Sequence, residues 1–176
     1  MDLYKFHSNP ETLHGYDKAD EIVPERIYDI ARSGKKITVK QENVLAKNPN
    51  YVYYYAYDVL KKPFLKGEDI VAKDTLYAYY YALNVLKKPW PKGEDAIAKD
   101  SYFAYEYAYY ILKKPWLKGE DAIAKDPRWA YQYAYYVLEK PWPKGESVII
   151  KDKHWAYMYA CYVLKLPEAE ARKWQK

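Results

Sequence analysis

The chain has 176 residues, half of them apolar or aromatic, and a formal charge of +5. That length suits one domain (1–176), and that apolar content argues against disorder. A single cysteine, Cys161, excludes an intramolecular disulfide framework, and no apolar run is long enough for a signal peptide or a membrane span, so the expectation is a non-membrane, cytoplasmic protein.

Tyrosine is the anomaly, with 24 copies against 3 phenylalanines. It packs like an aromatic but keeps a hydroxyl that needs water or a partner, so a thin core with tyrosine tips at the surface is expected. Lysine supplies most of the positive charge and arginine is scarce, which disfavours base readout in DNA.

The N-terminal region, 1–48, fits a repeating pattern loosely. Residues 1–22 read as a degenerate unit around Asn9-Pro10 or as a capping segment. Pro24, Ile27, Tyr28, Ile30 and Ala31 echo Pro49, Val52, Tyr53, Tyr55 and Ala56 further on, before Ser33-Gly34-Lys35-Lys36 interrupts. Glu42, Val44, Leu45, Ala46 and Lys47 return in phase as a short helix.

From 49 to 166 the repeat is regular, and Gly67, Gly93, Gly119 and Gly145 mark its period of 26 residues. Each unit opens on a helix cap, at Asn48, Asp74, Asp100, Asp126 or Asp152, whose side-chain oxygen can take the free amides of a first turn. A helix of about twelve residues then runs until Pro63, Pro89, Pro115, Pro141 or Pro167 stops it. In the second unit Ala78, Ala82, Val85 and Leu86 make one stripe at helical spacing, repeated as Val52, Ala56, Val59 and Leu60 before it and Ala104, Ala108, Ile111 and Leu112 after it. Tyr79 and Tyr81 flank that stripe. After each proline comes an aromatic plug (Phe64, Trp90, Trp116 or Trp142), a Lys-Gly-Glu turn, and a short helix of about two turns held by packing rather than propensity.

Residues 167–176 read as a polar C-terminal capping helix. The whole is therefore expected to be all-α: tandem helix-turn-helix units, long helix plus short helix, stacked as an α-solenoid or compact superhelix.

Function has to be sought in positions that the repeat leaves free. Two outward rows run in parallel, Tyr57, Leu83, Tyr109, Tyr135, Cys161 and Asp58, Asn84, Tyr110, Tyr136, Tyr162. A third holds Tyr54, Tyr80, Glu106, Gln132 and Met158. Tyr54, Tyr57, Tyr80, Tyr109, Tyr110, Tyr135, Tyr136 and Tyr162 are the candidate partner-binding residues, since tyrosine combines large contact area with low entropy cost; packing against neighbouring helices is the competing explanation. A second candidate is a basic edge for nucleic acid or a nucleotide-like ligand, made of the turn lysines Lys66, Lys92, Lys118 and Lys144 with Lys88 and Lys114. Glu68, Glu94, Glu120 and Glu146 follow the turn lysines and read as ordinary solubilising surface. Self-assembly through repeat-like ends is the third reading.

No catalytic constellation, cofactor or metal site is expected. His7, His14 and His154 lie apart without ligand spacing, and each glycine stands alone rather than in a phosphate-binding loop. An enzyme is not expected.

The recurring string of Ala-Tyr-x-Tyr-Ala, Val-Leu-Lys and Gly-Glu-x-x-Ile-Ala-Lys-Asp, at 78–100, 104–126 and 130–152, resembles short helical repeats of bacteriophage-encoded proteins, most of unknown function. The resemblance covers about 42–167, and Leu-Tyr-Lys-Phe-His-Ser-Asn-Pro near the start is similar to openings in the same group. Such repeats often carry Gly-Arg where this chain has Lys-Lys or Glu-Lys before the proline. The resemblance implies a context, not site residues: small phage proteins commonly bind host proteins, defence components among them, or sequester their small-molecule signals.

Overall fold

The computed structural model describes residues 23–175, and no strand occurs among them. Helix α1 (Pro24–Arg32) and α2 (Val39–Leu45) form a shortened first pair. Proline at the start of α1 removes one opening amide that would need a partner, and the Thr38–Gln41 capping box satisfies an opening amide of α2. Ile27, Ala31 and Leu45 are buried between them and the first regular unit. Asn9-Pro10, His7 and His14 lie outside the described residues.

Five long helices follow: α3 (Pro49–Tyr54), α5 (Thr75–Tyr80), α7 (Ser101–Glu106), α9 (Pro127–Tyr133) and α11 (Lys153–Tyr162). Between them lie the short helices α4 (Glu68–Val71), α6 (Pro91–Ile97), α8 (Leu117–Ile123) and α10 (Pro143–Ile149). Each of the first four long helices packs on the short helix of its own unit and on the long helix of the next. The result is a solenoid-like superhelix of units of about 26 residues. The caps are formed as the sequence implies: Asp74 accepts from the Tyr77 amide at 2.9 Å, Asp100 from Phe103 at 3.0 Å, and Asp126 and Asp152 from two amides each.

The geometry departs from the sequence reading in four places. First, whereas α11 stays α, the other four long helices do not. They continue as π-helix through Tyr55–Leu60, Tyr81–Leu86, Tyr107–Leu112 and Ala134–Leu138. A π turn holds more residues than an α turn, so it rotates everything after it away from the angle that a period of 3.6 implies. Val85 and Leu86 are therefore only half-buried, and the stripe ends at Ala82.

Second, proline is not the stop. The first four end two residues earlier, where Lys61, Lys87, Lys113 and Glu139 adopt left-handed backbone, and Lys165 adopts it too, after α11 has ended at Tyr162, with φ between 52° and 56° throughout. The amides of Lys87 and Lys88 both reach the Ala82 carbonyl, closing the wide turn as a Schellman motif closes an α-helix.

Third, Lys-Gly-Glu is not a turn preceding the short helix but lies within its opening. Helices α6, α8 and α10 begin directly after the tryptophan plug. Glycine recurs there because of close approach: a Cβ at Gly93, Gly119 or Gly145 would collide with the indole of Trp90, Trp116 or Trp142.

Fourth, the tyrosines thought to flank the alanine stripe are core. Tyr81, Tyr107, Tyr133 and Tyr159 are wholly buried. Their hydroxyls are satisfied twice. Tyr107 accepts the Trp90 amide at 2.7 Å and donates to Glu94 at 3.2 Å; Tyr133 does the same with Trp116 and Glu120, and Tyr159 with Trp142 and Glu146. Both partners belong to the preceding unit, so every such tyrosine crosses a junction. A buried hydroxyl without partners is costly, and this arrangement removes that cost.

The polar helix α12 (Glu168–Ala171) and a 3-10 turn through Trp174 close the C-terminal end. In earlier units the buried tyrosine packs on its own tryptophan plug, as Tyr107 does on Trp116 at 4.9 Å. Tyr159 packs on Trp174 instead, at 6.0 Å. One indole substitutes for another, and the Tyr159 ring keeps an aromatic neighbour.

Candidate functional site

The outward tyrosines separate into two groups. Tyr109, Tyr110, Tyr135, Tyr136 and Tyr162 are exposed, with Tyr110 and Tyr162 more than half accessible. They touch in sequence: Tyr110 on Tyr109, Tyr109 on Tyr136 at 5.9 Å, Tyr136 on Tyr135, and Tyr135 on Tyr162 at 6.2 Å. The face is thus one continuous aromatic surface across α7, α9 and α11 and the π turns that extend the first two. Exposed aromatic clusters of this kind are uncommon on a surface that faces only water.

Tyr54, Tyr57 and Tyr80 are half-buried and belong elsewhere. With Tyr53, Asp58, Leu76, Tyr77 and Asn84 they line a depression of about 200 Å³ between the first two regular units. The change from one group to the other has a local cause. In the early units the outward position carries Asp58 or Asn84, which bind tyrosines of the preceding unit: Tyr28 donates to Asp58 at 2.5 Å, and Asn84 donates to Tyr53 at 2.8 Å. In the third unit that duty passes to Glu106, which accepts from Tyr79 at 3.1 Å. Position 110 is then released to carry an exposed tyrosine.

An inner aromatic layer supports the face. Tyr105 stacks on both Tyr109 and Trp129, and Tyr131 on both Tyr135 and Trp155. Burial raises the Tyr131 hydroxyl pKa to about 12 and shifts Tyr105 upward as well, so this layer is neutral at physiological pH. Burial likewise pushes the Glu106 carboxyl up, while hydrogen bonds from Tyr79 and Tyr102 oppose the shift.

Beside the face lies an open groove of about 490 Å³, between the C-terminal ends of the third and fourth long helices. Ala108 and Val137 supply apolar wall, Tyr109, Tyr110 and Tyr136 aromatic wall, and Lys113, Lys114 and Glu139 the charged rim.

The two lysine rows behave differently. Turn lysines are engaged: Lys66 meets Glu42 at 3.0 Å, Lys92 meets Asp69 at 2.8 Å, Lys118 meets Asp95 at 2.7 Å and Lys144 meets Asp121 at 2.8 Å. Each reaches back to the acids of the unit before, and the lysine holds Asp69, Asp95 and Asp121 below the ordinary carboxylate range. Glu68, Glu94 and Glu120, read from sequence as plain solubilising surface, are the shared acceptors of these lysines and of the buried tyrosines.

The helix-end lysines have no such partners. Among the described residues no carboxylate lies within ion-pair distance of Lys87, Lys88, Lys113 or Lys114. Sequence reasoning noted Lys88 and Lys114 but missed Lys87 and Lys113, the members in left-handed backbone. A non-glycine residue there costs on the order of 1 kcal/mol, and the attraction of a lysine to the helix C-terminus returns about 0.3–1 kcal/mol. The available signal was a lysine placed two residues before four of the five prolines that follow the long helices, Pro63, Pro89, Pro115 and Pro167.

His154 is exposed against Trp155, Cys161 is half-buried, and no group of three or more His, Cys, Asp or Glu among the described residues could hold a metal. No helix among them is long and apolar enough to cross a membrane. No family model matches the chain, and no curated protein or solved structure matches it either.

Proposed function

We propose that this chain is a binding module that captures a protein partner on the face formed by Tyr109, Tyr110, Tyr135, Tyr136 and Tyr162. The supporting observation is the unbroken aromatic contact from Tyr110 to Tyr162, exposed to solvent yet backed by a rigid stacked layer. Anchors of this type work because little rotamer freedom is lost when they are covered. The sequence resemblance to phage-encoded repeats suggests a host protein, a defence factor among the candidates, met in the cytoplasm of an infected bacterium. The role is binding rather than catalysis.

The test is a variant with Tyr109, Tyr110, Tyr135 and Tyr136 all changed to alanine, used as bait in lysate from infected and uninfected cells. Central interface aromatics contribute about 2 kcal/mol or more each, so a salt- and nuclease-resistant partner should be lost from the variant. Retention of that partner by a variant with unchanged circular dichroism would remove this face from consideration.

A basic edge for nucleic acid has less support. The turn lysines are committed to intramolecular acids, which leaves only the helix-end row for phosphates. Binding by that row would be lost steeply as salt rises. Self-assembly through the C-terminal end has less support, because Trp174 packs on the Tyr159 ring there.

A further inference from the structure

We infer that the groove between the third and fourth units receives an acidic peptide segment, which seats one bulky apolar or aromatic side chain against Tyr109, Tyr136 and Val137. This rests on the reading of the tyrosine face as the partner-binding surface and specifies what that partner presents.

Charge complementarity carries the inference. Lysine is plentiful in this chain, but the turn row is neutralised within the molecule, while among the described residues no carboxylate pairs with the helix-end row. That row runs Lys61-Lys62, Lys87-Lys88, Lys113-Lys114 and Lys140, broken once by Glu139. Its members are exposed, and Lys113 and Lys114 stand on the rim of the groove itself. A cationic rim around an apolar floor recognises carboxylates flanking an apolar side chain.

Backbone strain points the same way. Lys61, Lys87, Lys113 and Lys165 hold left-handed conformations that glycine would adopt without strain. The array retains lysine at these positions although no carboxylate among the described residues pairs with Lys87 or Lys113; attraction to the helix C-terminus offsets part of the strain and leaves both ammonium heads exposed to an outside partner.

The groove favours a peptide over a nucleic acid strand. Glu139 stands on the rim, where a continuous phosphate chain would meet a like charge, whereas discrete acidic side chains can be spaced around it. Tyr109 and Tyr110 meet edge to face at 78°, as do Tyr135 and Tyr136, so their rings form a corrugated surface rather than parallel platforms for successive bases.

The experiment is selection from a displayed random peptide library on the full chain, followed by fluorescence anisotropy with the most enriched peptide and with oligothymidylate. The expected result is enrichment of Asp and Glu around one aromatic or bulky aliphatic residue. Binding of that peptide should weaken about tenfold in Lys113→Gln/Lys114→Gln and by a similar factor at high salt, and should survive in Lys113→Arg/Lys114→Arg. It should be lost in Tyr109→Ala/Tyr136→Ala. Enrichment of uncharged or basic peptides, failure to enrich any peptide, or equal binding by the glutamine variant overturns the inference. Tighter lysine-dependent binding of oligothymidylate overturns it in favour of nucleic acid. Non-acidic peptides that still require Tyr109 and Tyr136 would leave the tyrosine face standing without its acidic partner. Acidic peptides indifferent to both tyrosines would remove the face as well.

Discussion

At the residue scale, the economy of this protein lies in one hydroxyl used twice. Tyr107 is wholly buried, and its oxygen takes the Trp90 amide while its proton goes to Glu94. Tyr107→Phe keeps the ring and removes both bonds, leaving a buried amide and a half-buried carboxylate short of a partner. The expected cost is about 1–3 kcal/mol, read as a lower urea midpoint at unchanged slope. An unchanged midpoint would mean that water replaces the hydroxyl. Within its own unit this tyrosine cannot be told from Tyr109, two residues later and exposed, because both are aromatic residues in one alternating string; only comparison across units separates them. The recurrence of tyrosine without phenylalanine at 55, 81, 107, 133 and 159 was the legible sign that a hydroxyl is required there.

At the element scale, the caps and the period could be read directly because they depend on local chemistry: an Asp or Asn oxygen meets the next amides regardless of what surrounds it. Helix ends could not. The π turn has no local signature in the residues, and it displaces Val85 and Leu86 from the stripe that simple periodicity assigns. The exposed face was partly legible: its rows read as outward, and Tyr109 and Tyr110 emerge at the surface, whereas Tyr54 and Tyr57 line the depression between the first two regular units with Asp58 and Asn84. The left-handed helix end gives its own prediction. Lys113→Gly relieves the strained backbone but adds chain entropy to the unfolded state, so stability should rise by up to about 1 kcal/mol. Thermal unfolding measures it; a lower melting temperature would show that the lysine is held by contacts beyond its backbone.

At the scale of the whole molecule, the tyrosine core sets a limit on the alkaline side. Burial raises the hydroxyl pKa of Tyr79, Tyr81, Tyr105, Tyr107 and Tyr159, and that of Tyr133 to about 12, against an ordinary value of 10.0. Folding thus favours the protonated form. The contribution is complete below about pH 10 and shrinks as pH rises above it, because the unfolded chain then releases protons that the native one retains. Absorbance of tyrosinate should therefore rise in two stages, first from exposed residues and then abruptly with loss of helical circular dichroism. A single gradual titration without unfolding would show that the buried hydroxyls are open to solvent.

The bonds from Tyr107 to Trp90 and Glu94, and from Lys118 to Asp95, all run from one unit to the unit before, and they recur with little change at the next junction. Adjacent units are therefore interchangeable parts. Unequal crossing-over between two copies of the gene segment, out of step by one whole period of 26 codons, joins halves that already match, whereas any other offset misaligns every link downstream. The array can lengthen or shorten in inheritance without passing through a chain that cannot fold, and each added copy brings an outward row free to diverge.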